Sequence, residues 1–234
     1  MPANRAFIRA CRAGLREVAV TEDAALMQAY MKSEMPYWGV KKPARAKVSK
    51  AVIAAHPLPS YAAWRDTARH LFDKAQKREE RYCVLDLLDH RRYREYRERW
   101  SSFALYEHLI VAGAWWDIVD AVAIHHIGRL LAVEPDKTEA KMRAWIADED
   151  LWRRRSAIIC QIKFKAETDE DLLFAAIEGA IESKAFFLRK AIGWALREYG
   201  KTAPKAVLAY VEANEGRLSG LSKREALRRL VAET

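Results

Sequence analysis

Long apolar runs are missing from this chain, and no stretch approaches the ~18 residues that a membrane-spanning helix needs. The opening MPANRAFIRACRAGLREVA also lacks the apolar core of a signal peptide, so a cytoplasmic protein with no membrane association is expected. Cysteine is scarce: Cys11, Cys83 and Cys160 lie far apart with no CxxC pair, which points to neither a disulfide framework nor a zinc site. They are expected to be small buried hydrophobes, and no metal or cofactor is implied. With 9 Gly and 7 Pro among 234 residues, and little alternation of β-branched with polar residues, nothing calls for strands. The chain reads as all-α.

Ala, Leu, Glu, Lys and Arg dominate what is present, and 51% of the residues are hydrophobic. At this length one domain over residues 1–234 with a sizeable core is expected, since chains below roughly 250 residues seldom split. Lys plus Arg number 41 against 32 Asp plus Glu, a net charge of +9. Such a surplus suits an acidic polymer as partner, although a solvated basic surface explains it equally well. Pro43 suits a first helical turn, Pro57 and Pro59 break the chain before SYAAWRDTARHLFDKA, and Pro135 separates two helices. Ser222 with Glu225 reads as a capping box opening the last helix. About a dozen short helices result.

Internal repeats emerge when the helices are aligned. Asp120-Ala-Val-Ala precedes Arg155-Ser-Ala-Ile by 35 residues, and Arg189-Lys-Ala-Ile follows 34 residues later, with Arg81-Tyr-Cys-Val as a looser match upstream. Helix pairs repeating every ~34–47 residues stack into a solenoid whose equivalent positions line one surface. Arg81, Asp120, Arg155 and Arg189 would then share a mostly basic groove containing one acid. Trp116 lies one helical turn before Asp120, so an aromatic wall would stand beside the carboxylate, a pairing suited to a cationic ligand.

Blander roles compete for the same residues. Trp115, Trp145 and Trp152 read as core, and Asp120 would equally serve as an ion-pair partner for Arg155. RRYREYRER, residues 91–99, interleaves Tyr with Arg, yet its i,i+4 charge pairs describe a solvated segment. The adjacent His125 and His126 point about 100° apart on a helix and cannot chelate one metal.

AYMKSEMPYWGVKKPARAK, WWDIVDAVA, DLWRRRSAIICQIKFKAETDEDLLF, FFLRKAIGWALREYGKTAP and LSKREA, in this order and spacing, resemble the AlkD family of bacterial DNA alkylation repair glycosylases. The likeness covers most of the chain; between about Val48 and Tyr106 it is one of helical pattern. It implies a HEAT-like helical solenoid with a concave, basic groove around duplex DNA, acting as a nucleoid-associated monomer. It also implies excision of N3- and N7-alkylated purines in base excision repair. Residue by residue, the resemblance implies Asp120 as the catalytic carboxylate, Trp116 as its aromatic neighbour and Arg155 as an arginine near the lesion's backbone. It places Trp194 beside the lesion and Tyr30 near the DNA. Lys41 departs from the uncharged polar residue of relatives, while Lys42 and Arg45 keep that loop basic. Arg189, Lys190 and Arg197 are expected to add backbone contacts. A non-catalytic helical-repeat module that scans nucleic acid is the competing reading, against which a carboxylate on a phosphate-binding face counts.

Overall fold

The computed structural model describes residues 3–228, and among them every regular element is a helix. The backbone groups into two compact units that divide between Leu105 and Tyr106. In the first, α1 (Arg5–Glu17), α2 (Thr21–Met31), α3 (Lys42–Ala55), α4 (Tyr61–Asp73), α5 (Arg78–Asp89) and the single turn α6 (Arg94–Arg97) occur in order. Asn4 and Ser60 cap α1 and α4, accepting hydrogen bonds from the N–H groups of Phe7 and Ala63. The core stripe of α1, Phe7, Ile8, Cys11 and Leu15, recurs at helical spacing and packs against α3, α4 and α5. Pro43 occupies the first turn of α3, and Pro57 and Pro59 fall in the break before α4, as their φ restriction and missing N–H require.

One buried carboxylate shapes the approach to α3. Glu79, fully buried, accepts hydrogen bonds from the N–H groups of Trp38 and Val40 at 3.0 Å. Between those amides sits Gly39, at φ +79°, where a Cβ would lie 1.9 Å from the Val20 carbonyl oxygen. Only glycine fits so close an approach. RRYREYRER turns its aromatic members inward: Tyr93 is buried, stacks on Tyr96 with centroids 5.9 Å apart, and accepts the Leu58 N–H. Arg92 and Arg97 donate to the backbone carbonyls of Ile53 and Asp89, and Arg94 pairs with Glu98 one turn on, which is the solvated reading of the segment.

The division falls within α7 (Phe103–Gly113). The second unit continues with α8 (Trp116–Val122), a π-helical turn (Ala123–Ile127), α9 (Gly128–Val133), α10 (Pro135–Ile146), α11 (Leu151–Ile159), α12 (Glu170–Glu178), α13 (Phe186–Gly200), α14 (Pro204–Ala213) and α15 (Gly220–Leu227). α8, α11, α13 and α15 pack one against the next in a row, while α10 and α12 pack on each other and on α11 as a second layer. This is the stacked helix-pair arrangement that the 34–35-residue spacing anticipates. Gly128 closes the π turn, its N–H bonding to the Ala123 carbonyl, and a Cβ there would lie 2.4 Å from the Cys160 carbonyl oxygen.

Three sequence readings meet the structure here. Cys11, Cys83 and Cys160 are free and buried. Trp145 belongs to the core at 3% exposure. The capping box at Ser222 is corrected: α15 begins earlier, capped by Ser219, whose oxygen accepts the Ser222 N–H. LSGLS offers two cap residues three positions apart, and the first one wins because Ser222 is buried and donates its hydroxyl to the Arg189 carbonyl. No helix among the described residues is long and apolar enough to cross a membrane.

Candidate functional site

The row α8–α11–α13–α15 carries a cavity of about 330 Å³ lined by Trp116, Asp120, Arg155, Phe186, Phe187, Lys190, Trp194, Arg197 and Glu225. At its base Arg155 donates from Nε and Nη2 to the two Asp120 oxygens, each at 2.7 Å, a bidentate pair across α11 and α8. The remaining terminal nitrogen, Nη1, donates to the Phe187 carbonyl at 2.6 Å and so ties α13 to the same guanidinium. The two side chains keep 5% and 14% of their surface exposed, Arg155 the less. Each carboxylate oxygen accepts only one of these N–H groups and retains a lone pair.

Burial lifts the Asp120 carboxyl above the ordinary aspartate range; the hydrogen bonds and charge of Arg155 oppose the rise, and Asp117 adds to it. Behind the pair, Trp115, Trp152 and Phe187 form an aromatic cluster with centroids 4.9–6.1 Å apart. That cluster accounts for Trp115 and Trp152 as packing residues. Trp116, 36% exposed, stands on the same face of α8 as Asp120, and Trp194 is half-buried on α13. Phe186 is more exposed still, at 59%.

The cations are engaged rather than displayed. Lys190 pairs with Glu225 at 2.9 Å and Arg197 reaches the other oxygen of the same carboxylate. Lys190, with Arg197 assisting, holds Glu225 below the ordinary glutamate range against partial burial. Arg189 directs Nε to the Ser183 carbonyl at 2.8 Å. Arg155, expected near the DNA backbone, has its fork occupied by Asp120. In the first unit Tyr30 is 78% exposed on α2 and Lys42 is exposed at the start of α3, whereas Lys41 pairs with Asp23 at 2.7 Å. Arg45 is withdrawn into a bidentate pair with Asp86 at 2.9 and 3.1 Å, over the Tyr82 ring. Asp120, Trp116, Arg155, Trp194, Lys190 and Arg197 thus meet around one cavity in the second unit, and Tyr30, Lys41, Lys42 and Arg45 belong to the first. Among the described residues no group of three His, Cys, Asp or Glu is placed to hold a metal. His126 stacks on Tyr106 in the core while His125 meets Lys163 at the surface.

Glu225, Phe186 and Phe187 escaped sequence reasoning. Glu225 had a signal available, because it lies 35 residues after Lys190, the spacing that also separates Asp120 from Arg155. Its reading as a local capping residue hid that signal.

Helices stacked in two layers, with a desolvated acid–arginine pair and an aromatic-walled cavity on one row, define an all-helical protein of the helical-repeat class. A family model described as DNA alkylation repair enzyme matches residues 11–230, and the chain belongs to that family. It is similar to a solved structure, a predicted DNA alkylation repair enzyme from Enterococcus faecalis, at 29% identity and a TM-score of 0.81. The likeness covers 91% of this chain and 96% of that one. No curated protein matches it significantly.

Proposed function

We propose that the protein is a DNA glycosylase that releases N3- and N7-alkylated purines, such as 3-methyladenine and 7-methylguanine, from duplex DNA. The observation that carries this reading is the Asp120 carboxylate, desolvated and fixed by Arg155, facing a cavity walled by Trp116 and Trp194. Alkylation at N7 or N3 gives the purine a formal positive charge. When the C1′–N bond breaks, its electron pair passes to the purine ring and discharges that cation, so the base leaves neutral without being protonated. What the protein must supply is stabilisation of the positive charge growing on deoxyribose.

An ionised carboxylate held in place before the reaction does this without reorganising. Arg155 keeps the Asp120 oxygens oriented and leaves each a free lone pair toward the cavity, where one polarises the water that adds at C1′ and takes its proton on the way to solvent. Trp116 and Trp194 present ring faces to the cationic nucleotide, each worth roughly 0.5–2 kcal/mol according to desolvation. Lys190 and Arg197 on the cavity wall, and Tyr30 and Lys42 in the first unit, supply contacts to the sugar–phosphate backbone, which position DNA without reading sequence.

A duplex carrying one 7-methylguanine, incubated with the protein and then treated with alkali, is expected to break at that nucleotide. Asp120→Asn should slow the break at least tenfold. A second reading, a DNA-binding module without catalysis, is favoured by one observation: both carboxylates in the cavity are satisfied by cations already. Under that reading alkylated and plain duplex bind alike and no alkali-labile site forms, which would overturn the glycosylase proposal.

A further inference from the structure

The same cavity holds a carboxylate that the proposed chemistry does not use. Glu225 lies at the far end of the row from Asp120, on α15, and its two oxygens are divided between Lys190 and Arg197, seven residues apart on α13. Two turns separate those cations along one helix face, so a single acid spans the pair. The Glu225 side chain is 17% exposed, and Lys190 keeps 40% of its surface free, so the trio borders solvent rather than core. Gly193 between them lets α15 approach: a Cβ there would lie 2.5 Å from the Glu225 Cβ.

We propose that Glu225 is a specificity-determining residue that screens Lys190 and Arg197, lowering the hold on undamaged duplex while leaving the cavity attractive to a cationic nucleotide. Every phosphate that docks on these cations must compete with a carboxylate already in place. By offsetting those two cations, Glu225 also lowers the repulsion that a positively charged base meets on entering the cavity, an effect that a neutral base does not feel. The acid therefore weakens phosphate docking of both duplexes, and only the alkylated one recovers part of that loss through its cationic base. Because Lys190 and Arg197 hold Glu225 below the ordinary glutamate range, its charge is present throughout the neutral range. The inference rests on the proposed DNA-binding role of this cavity, and its selective half rests on the cationic substrate.

The test compares the parent protein, Glu225→Gln and Glu225→Asp on two duplexes, one plain and one with a single 7-methylguanine, with dissociation constants measured over a range of salt. Glu225→Gln is expected to bind plain duplex at least threefold more tightly at low salt. The slope of log affinity against log salt should steepen by roughly 0.9–1.8, one to two newly released phosphate contacts. Its preference for alkylated over plain duplex should fall as well, because the phosphate gain is common to both duplexes while only the cationic base meets the unscreened cations. Glu225→Asp restores the charge and should restore parent behaviour. Adding Lys190→Gln and Arg197→Gln to the Glu225→Gln protein should erase the gain, with folding of each variant checked by circular dichroism. Unchanged or weaker binding by a folded Glu225→Gln protein overturns the proposal, as does a gain that survives loss of both cations. Base release is scored separately: a parent that binds duplex but releases no base refutes the glycosylase reading, while the change in salt slope still decides the screening role.

Discussion

The two members of the Asp120–Arg155 pair should respond unequally to neutralisation. Asp120→Asn preserves side-chain shape, keeps one acceptor oxygen for the guanidinium, and leaves the Phe187 carbonyl on Nη1. Burial outweighs Arg155 in setting the Asp120 carboxyl, whose pKa lies above its ordinary value in the fold. An acid whose pKa is raised by folding contributes stability below the unfolded value, and that contribution is lost as pH rises through the folded value. A neutral isostere escapes the penalty that the carboxylate carries near neutral pH, while its NH2 group leaves one Arg155 N–H without an acceptor, so Asp120→Asn should cost about 1 kcal/mol, less than loss of the guanidinium. Arg155→Ala does the opposite: it strips a carboxylate that is only 14% exposed of both charged donors. Breaking such a pair costs about 3 kcal/mol. At roughly 2–4 °C per kcal/mol for a chain of this size, Tm should fall by about 6–12 °C for Arg155→Ala and move by no more than about 4 °C for Asp120→Asn. The melts are followed by far-ultraviolet circular dichroism. Single-turnover release of 7-methylguanine, measured below both midpoints, should fall about 10²–10³-fold for Asp120→Asn, the effect of removing one preorganised electrostatic group. If Asp120→Asn melts as low as Arg155→Ala, the burial argument is wrong. If a folded Asp120→Asn releases base at the parent rate, Asp120 has no part in the chemistry.

Three further outcomes are expected. Under the proposed chemistry the carboxylate form of Asp120 is the active one, and its pKa is already raised, so base release should climb with pH along a single limb above the ordinary aspartate range. Arg155→Ala should move that limb to still higher pH; a limb that stays put or shifts down refutes the link. Hypoxanthine, uracil and ethenoadenine, being neutral, should remain in the duplex while cationic purines are released, and comparable rates for both would mean that some side chain protonates the leaving base. Gly128→Ala should lower Tm, because the new methyl meets the Cys160 backbone oxygen at 2.4 Å and neither helix can yield cheaply; overpacking costs about 1–3 kcal/mol, or roughly 2–12 °C here, and an unchanged melt would show that the helices separate freely.

The helical class was legible because it depends on local signals: proline punctuation, capping residues and apolar stripes at helical spacing. The row of helices was legible too, since the frame joining Asp120, Arg155 and Arg189 is carried by residue spacing alone. Which charges answer one another was not. Arg45 looks like part of a basic loop, yet its partner Asp86 comes 41 residues later. Arg155 suggested a phosphate ligand, and the structure instead sets it bidentately on Asp120, the ion pair that the sequence allowed as the blander alternative. Glu225 was hidden because its local context, three residues after a serine, satisfies a capping rule that the earlier Ser219 in fact fulfils.

The π turn at Ala123–Ile127 bears on which way Asp120 faces. A π turn accommodates a single extra residue within an otherwise continuous helix, and such turns gather near functional sites. Asp120, Arg155, Lys190 and Glu225, the charged residues around the cavity, follow one another at 35 residues each, and the π turn lies in the first interval, beginning three residues after Asp120. It is where a one-residue insertion would be absorbed while Asp120 stays opposite Arg155. Removing one residue from this turn would regularise the hydrogen bonding of the helix but rotate α8 by about 100° relative to α9 and the helices beyond it. The aspartate would then face away from its arginine, so the irregular turn is a phase adjustment that sets the register of the acid.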